Sequence, residues 1–206
     1  MMFKDRRDAG KKLAEALKKY KNAPDTIVLA LPRGGVVTGY EITKALNLPL
    51  DIVVPRKIGA PSNPEYAVGA ITETGQAILN EEEIKDIEKE WLEKEKEKEK
   101  KEAQRRLMVY RTGPPLVIKG KTVIIVDDGV ATGYTMRAAI ASIKIRKPAK
   151  IIAAVPHGAS DSIKLIKKEA DEVVCLFAPV WYGAVGSFYE NFPQTTDEEV
   201  IKLLKR

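Results

Sequence analysis

Residues 121–136 of the 206-residue chain read K-T-V-I-I-V-D-D-G-V-A-T-G-Y-T-M. The apolar, β-branched run at 123–126 predicts a strand that is buried on both faces. Asp127 and Asp128 follow where that strand ends, and a turn of small residues then leads into a segment with helical spacing from Thr135 onward. Because free backbone N–H groups and the helix dipole favour an anion at a helix start, this strand–turn–helix unit predicts a phosphate site.

The polar side chains of this unit indicate which phosphate compound fits it. Thr132 and Thr135 can add hydroxyl donors. The turn lacks the lysine with which the G-x-x-x-x-G-K-[ST] loop holds a nucleoside triphosphate, so a phosphomonoester fits better. Asp127 and Asp128 favour hydroxyl groups or a hydrated metal ion. The alternative is an ordinary buried strand with an acidic helix cap, although adjacent acids on a buried strand are costly without a partner.

The stretch V-I-I-V-D-D-G-V-A-T-G-Y-T resembles the 5-phosphoribosyl 1-diphosphate (PRPP) binding motif of type I phosphoribosyltransferases. The resemblance implies that Asp127 and Asp128 hold the ribose 2- and 3-hydroxyls and that the following turn holds the 5-phosphate. The residues of the turn to which it assigns substrate binding are Ala131, Thr132, Gly133, Tyr134 and Thr135. Gly129 departs from the motif, in which an aliphatic residue or serine is usual, and it predicts a slightly looser turn without loss of a ligand.

Two further segments carry cations that the resemblance assigns to the diphosphate. A strand predicted at 26–31 is followed by Pro-Arg-Gly-Gly and a helix, and a strand predicted at 50–54 is followed by Pro-Arg-Lys. The implied catalytic residues are Arg33, Arg56 and Lys57. Gly34 and Gly35 are implied substrate-binding residues, because glycine lets a ligand approach the backbone closely. Taken alone, the first segment could be a plain turn and the second a pair of solvated cations.

Two segments in the middle of the chain depart from this regular alternation. Residues 58–80 are rich in glycine and proline, with a hairpin predicted around Gly75. The resemblance implies that they are the family's mobile loop, which closes over the reacting centre and excludes water. Residues 81–110 predict a long charged helix that projects from the body, because its middle, E-K-E-K-E-K-E-K-K-E, has no apolar face.

Residues 178–193 hold five aromatic side chains and two glycines. The resemblance implies a hood loop that covers the acceptor base, and Trp181 and Tyr182 are the predicted stacking residues. His157 follows a strand predicted at 150–156, and we expect it to pack or hydrogen-bond at the rim of the site. Proton transfer by His157 or Glu65 is the alternative.

Composition limits the other classes of protein. No apolar run approaches the roughly 20 residues of a membrane-spanning helix, and the first residues lack an apolar signal region, so we expect a cytoplasmic protein without a membrane partner. One cysteine and one histidine cannot form a zinc site of the usual kind. The net charge of +6 allows a nucleic-acid partner or a polyanionic small molecule. The cations are not interleaved with aromatic residues, which disfavours nucleic acid.

The alternation of strands and helices predicts an α/β fold with a parallel sheet, and ligands gather at the carboxyl ends of such strands. The expected architecture over residues 1–206 is a single domain of the type I phosphoribosyltransferase fold, with a small hood and a long charged helical insertion. The resemblance implies a homodimeric enzyme of nucleotide salvage that transfers 5-phosphoribosyl from PRPP to a nitrogenous base. Mg²⁺ is the implied cofactor, held with few direct protein ligands. The alternative is a regulator of the same fold that senses PRPP or a nucleotide and binds RNA or DNA.

Overall fold

The computed structural model describes residues 1–111 and 113–205, with the side chain of Glu65 outside the description. The strands are β1 (Thr26–Ala30), β2 (Leu50–Ile52), β3 (Arg56–Ala60), β4 (Asn63–Ile71), β5 (Ala77–Leu79), β6 (Thr122–Val126), β7 (Lys150–His157) and β8 (Glu172–Phe177). The helices are α1 (Arg6–Ala16), α2 (Gly34–Leu46), α3 (Lys89–Tyr110), α4 (Tyr134–Ile145), α5 (Ser160–Lys167) and α6 (Asp197–Leu204). Within the described ranges, no helix has the length and apolar character needed to cross a bilayer.

The central sheet has five parallel strands in the order β2-β1-β6-β7-β8. Alternate residues of β6 point to opposite faces, so Ile124 packs with Leu13 and Ile42 while Ile125 packs with Met136 and Ile140. Helices α1 and α2 therefore cover one face and α4 and α5 the other. This arrangement confirms the predicted α/β fold. It also brings the segments that follow β1, β6 and β7 to one edge of the sheet.

Residues 58–80 belong to a second sheet rather than to an irregular loop. Strands β3, β4 and β5 pair antiparallel, and the predicted hairpin around Gly75, whose φ is +87°, joins the last two. Ile58, Val68 and Ile71 are buried in an apolar cluster with the start of α3. The predicted hairpin is therefore confirmed, and the sequence misses only the third strand, β3, because its apolar residues lie between glycines and prolines that mask the strand pattern. Closure over the reacting centre stays a prediction.

Helix α3 begins at Lys89, eight residues later than the sequence predicts, because residues 81–86 form turns. The sequence also predicts that the middle of this helix projects into solvent, and that prediction is wrong. Ala103 is fully buried against a cluster that includes α2 and α6, and Glu99 is only 8% exposed. The Glu99 carboxylate forms an ion pair of 2.8 Å with Arg56 of β3. The helix is therefore held against the second sheet.

The hood loop pairs with the first residues of the chain. Phe3 pairs with Tyr189, and its backbone N–H donates to the Phe188 carbonyl at 2.9 Å. After the hood, the Thr196 hydroxyl accepts from the Glu199 N–H at 3.2 Å and so caps the start of α6.

Candidate functional site

The acid pair lies directly against the glycine turn that follows β1. A Cβ atom at Gly34 would lie 1.9 Å from Asp128 Oδ2, and a Cβ atom at Gly35 would lie 3.0 Å from Asp127 Oδ1. The two loops are held side by side because the Leu31 N–H donates to the Val126 carbonyl at 2.9 Å. Glycine is therefore required for the close approach of these loops. Two segments that are far apart in the sequence therefore pack against each other at the edge of the sheet.

The two carboxylates have different partners. Asp127 Oδ1 accepts from the Asp128 N–H at 2.8 Å, and Asp128 Oδ2 accepts from Arg6 Nε at 2.6 Å. Burial, and then the charge of Asp128, raise the pKa of Asp127 well above its usual value, while Arg6 acts in the opposite direction. A buried acid with a raised pKa and a charged neighbour is typical of a binding or catalytic site.

The turn after the acid pair is fixed by the segment that follows β7. The Val130 N–H donates to the His157 carbonyl at 3.0 Å, and the Ser162 hydroxyl donates to the Ala131 carbonyl at 2.6 Å. Gly133 adopts a φ of +81° immediately before α4 begins. Ala131 and Thr132 are exposed, and Tyr134 and Thr135 are partly exposed. The predicted phosphate turn is therefore a rigid loop that leads into the open N–H groups of a helix start.

His157 lies beneath the hood in a cluster of aromatic rings. Its side chain is fully buried, Nδ1 is 2.8 Å from the Tyr182 hydroxyl, and the Phe188 ring centre is 4.5 Å away. Nε2 finds no hydrogen-bond partner among the described residues. Burial lowers the pKa of His157 to about 4, so the ring is neutral at pH 7.

The two predicted stacking residues of the hood have different environments. Tyr182 stacks on Phe188 with ring centres 4.9 Å apart, so it is part of the aromatic cluster. Trp181 is 94% exposed. The structure therefore brings Tyr182 to His157, close to the acid turn, and leaves Trp181 on the surface.

The predicted diphosphate cations are divided between two places. Arg33 is the residue before α2 and follows a cis Pro32–Arg33 peptide bond. Its Nη1 lies 3.4 Å from Asp197 Oδ1. Arg56 and Lys57 begin β3 of the antiparallel sheet. Their predicted position at the end of a parallel strand is wrong, because β2 ends at Ile52.

Arg56 and Lys57 line a cavity of about 470 Å³ between β3 and α3. The Arg56 guanidinium is held there by its ion pair with Glu99. Their contact with the diphosphate stays a prediction. Glu65, the second candidate for proton transfer, lies outside the described side chains.

Arg6 contacts the acid pair and is missed by the sequence interpretation, and Tyr189 makes a contact there that the sequence does not predict. The Tyr189 hydroxyl donates to the Asp128 carbonyl, and Arg6 holds the Asp128 carboxylate. The basic face of the first helix predicts a solvated surface, whereas Arg6 is only 8% exposed. No local signal separates this arginine from the other cations of α1, because its burial depends on residues at the far end of the chain.

Comparison with known proteins identifies the family of the chain. The model of the phosphoribosyl transferase domain matches residues 3–192. Two Mycobacterium tuberculosis proteins, provisionally named phosphoribosyl transferases, are each 40% identical over an alignment of 208 residues that covers all of this chain and 47% of theirs. The chain therefore spans about half the length of the curated relatives it matches.

Solved structures share the fold of this chain. The protein TT1426 from Thermus thermophilus is 40% identical, with a TM-score of 0.81 and coverage of 99% of this chain and 98% of that one. AQ2163 from Aquifex aeolicus shares the fold, with 17% identity, a TM-score of 0.54 and coverage of 84% of this chain and 74% of that one. From the family match and these relatives, the chain belongs to the phosphoribosyl transferase domain family.

Proposed function

We propose that the chain transfers 5-phosphoribosyl from PRPP to a nitrogenous base and releases diphosphate. The observation that carries this proposal is the contact between the acid pair and the glycine turn, in which a Cβ atom at Gly34 would lie 1.9 Å from Asp128 Oδ2. That contact places two carboxylates, which can accept hydrogen bonds from hydroxyl groups, next to a backbone turn without side chains. A ribosyl diphosphate needs both, because its hydroxyl groups lie next to its diphosphate.

Each group of residues at this edge of the sheet has a role in the proposed transfer. Asp127 and Asp128 accept hydrogen bonds from the ribose hydroxyls. The turn before α4, together with the backbone N–H groups of the first turn of α4, binds the 5-phosphate. Arg33 and the backbone of the glycine turn bind the diphosphate. As the bond to the diphosphate breaks, charge grows on the leaving group while the ribose gains oxocarbenium character, so a fixed cation there stabilises the transition state. Arg56 and Lys57 are the second group of proposed diphosphate cations.

Mg²⁺ is the proposed cofactor. Over residues 1–111 and 113–205, no group of three or more His, Cys, Asp or Glu side chains is placed to hold a metal ion. Two adjacent carboxylates fit an ion that takes most of its ligands from diphosphate, ribose hydroxyls and water, as Mg²⁺ does. When bound, the ion would neutralise charge on the diphosphate, and Asp127 and Asp128 are the residues that would hold its hydration shell.

The aromatic residues of the hood are the proposed binding surface for the acceptor base. The aromatic cluster around His157 and Tyr182 forms the hood side of the acid turn, and planar rings of this kind suit a planar base. We propose nucleotide salvage by a cytoplasmic homodimer as the setting, on the ground that dimers are usual among similar proteins.

The regulator that binds RNA or DNA is the alternative, and the charge of +6 favours it. The charged helix α3 argues against it, because its cations pair with its own acids, as Arg105 does with Glu102 at 2.7 Å. A panel of bases incubated with PRPP and Mg²⁺, with diphosphate release as the readout, separates the two functions. Base-dependent release supports the enzyme. Binding of PRPP without transfer to any base, together with a shift of an RNA or DNA probe at physiological salt, supports the regulator.

A further inference from the structure

Arg6 lies where the first helix, the hood, the acid pair and the glycine turn meet. Its Nε donates to Asp128 Oδ2 at 2.6 Å, and its Nη1 donates to the Pro193 carbonyl at 2.7 Å. Its guanidinium carbon lies 3.7 Å from the centre of the Phe192 ring. A Cβ atom at Gly34 would lie 2.7 Å from Arg6 Nε. The guanidinium is thus built into the wall of the site.

We infer that Arg6 is a positioning residue for PRPP: it fixes the orientation of the Asp128 carboxylate and thereby sets the affinity for the ribosyl diphosphate. This inference rests on the proposed function. It assigns to the first helix a role in the site that neither the motif nor the glycine turn contains. Arg6 acts through Asp128 and does not itself need to touch the reacting atoms.

The contacts of Arg6 favour a permanent support over a latch that the ligand displaces. A guanidinium has its donors in a fixed, planar fork, and here two of its nitrogens already have acceptors on different segments. To leave Asp128, Arg6 would have to leave the Pro193 carbonyl and the Phe192 ring as well. A buried charge that loses its partners is strongly destabilising. The ligand is therefore expected to bind Asp128 while Arg6 stays in place.

Electrostatics give a second reason for the role. Burial and the charge of Asp128 raise the pKa of Asp127, and the Arg6 guanidinium acts in the opposite direction. The guanidinium also places a positive charge 2.6 Å from Asp128 Oδ2. Charged acceptors bind hydroxyl groups and hydrated Mg²⁺ more strongly than neutral ones.

The same contacts connect the acid pair to the hood. Phe192 and Pro193 end the hood segment, and Phe3, three residues before Arg6, pairs with Tyr189 at its centre. The Tyr189 hydroxyl also donates to the Asp128 carbonyl. Arg6 of the first helix therefore holds the side chain of Asp128, and Tyr189 of the hood holds its backbone. A change at Arg6 is expected to disturb ligand affinity more than the chemical step.

The experiment compares Arg6→Gln, Arg6→Lys and Arg7→Gln by calorimetric titration with PRPP and Mg²⁺. Arg7 is the matched control, because it lies next to Arg6, is 44% exposed in its side chain and pairs with Glu41 at 2.8 Å, away from the acid pair. Arg6→Gln should weaken binding roughly 10- to 100-fold, the effect of one buried charged hydrogen bond. Arg6→Lys should recover part of the affinity, and Arg7→Gln should stay within about twofold. In Arg6→Gln, KM should rise more than kcat falls.

The outcomes separate this inference from the proposed function. If the wild-type chain does not bind PRPP, both are overturned. If the wild-type chain binds and Arg6→Gln binds equally well, only the role of Arg6 is overturned. Tighter binding by Arg6→Gln would also overturn it, because Arg6 would then compete with the ligand for Asp128. If Arg6→Gln fails to fold, Arg6→Lys decides the question: it keeps the charge but loses the fork, so affinity equal to wild type contradicts the inference.

Discussion

The ring of His157 lies against the backbone of Gly129. A Cβ atom at Gly129 would come within 2.6 Å of His157 Cε1 and within 2.6 Å of Val185 Cγ1. The sequence predicts that glycine loosens this turn, whereas the structure shows a close contact there. The aliphatic residue or serine that is usual at this position of the motif has no room beside the ring. Gly129 and His157 therefore form one feature, in which the acid turn packs against the hood.

Gly129→Ala should lower the free energy of unfolding by about 1–3 kcal/mol, the usual effect of overpacking. Because His157 supplies part of the obstruction, His157→Ala in the same chain should remove part of the added cost, while Val185 retains the rest. Urea denaturation of the wild type, both single variants and the double variant measures this coupling. Strictly additive effects of the two substitutions would contradict the contact.

His157 should make the stability of the protein depend on pH between about 6.5 and about 4. Its pKa is about 4 in the folded chain and about 6.5 when unfolded. As the pH falls through this window, the unfolded chain takes up a proton that the folded chain does not, so the free energy of unfolding falls, by on the order of 3 kcal/mol.

His157→Gln should flatten this dependence, and urea denaturation at several pH values measures it. The pKa of Glu172, lowered to about 2 by Lys150 and Lys19, affects stability mainly at lower pH. Asp127, whose pKa is raised by burial, has the opposite effect to His157 as the pH falls, so the difference between the wild type and His157→Gln isolates the histidine. An equally steep decline in His157→Gln would assign the dependence to another group.

Asp197 should influence turnover through Arg33. Asp197 Oδ1 lies 3.4 Å from Arg33 Nη1 and accepts from the Tyr110 hydroxyl at 2.6 Å. Arg33→Ala should lower kcat more than it weakens PRPP binding, because Arg33 meets charge that grows in the transition state. Asp197→Asn should show the same pattern in a weaker form.

Tyr110→Phe is the control for this prediction. It removes a hydrogen bond to Asp197 but leaves the Asp197 charge beside Arg33, so it should lower stability by about 1–2 kcal/mol with little effect on kcat. Steady-state kinetics and urea denaturation give both values. A larger loss of kcat in Tyr110→Phe than in Asp197→Asn would show that Asp197 does not act through Arg33.

The chain should have weak or no activity with hypoxanthine and guanine. Relatives in the resembled family that act on 6-oxopurines typically carry an acid in the phosphate turn, and this chain has Ala131 there. Alanine can neither accept nor donate the proton of the purine ring, and the His157 ring is fully buried under the hood. Steady-state assays with both bases test this. Turnover of roughly 1 to 1000 per second, the range of ordinary enzymes, would show that the missing acid is a poor guide.

The features that the sequence predicts correctly are local. The strand before Asp127, the acid pair itself and the start of α4 lie within one short stretch, so apolar runs, turn residues and helix spacing are enough to place them. Gly34 and Gly35 follow β1 in the same way. Their contact with the acid pair could be expected because the carboxyl ends of parallel strands meet at one edge.

The features that the sequence does not predict depend on distant partners. Arg6 resembles any cation of an amphipathic helix until Asp128 and Pro193 enclose it. Glu99 resembles its neighbours in a run of alternating charge until Arg56 pairs with it. Burial of a charged residue is decided by the whole fold, because only a partner supplied from elsewhere offsets its desolvation.

If Asp127 and Asp128 hold the ribose of PRPP, calorimetric titration of the Asp127→Asn/Asp128→Asn variant with PRPP and Mg²⁺ should show a loss of affinity. The asparagines keep the size of both side chains and an oxygen that can accept from Arg6 and from the backbone N–H of residue 128. The variant should therefore remain folded, with lower stability because Arg6 loses its counter-ion. We predict that the wild-type chain binds and that the double variant loses roughly a hundredfold or more in affinity. Equal affinity in the wild type and the double variant would show that Asp127 and Asp128 do not hold the ribose.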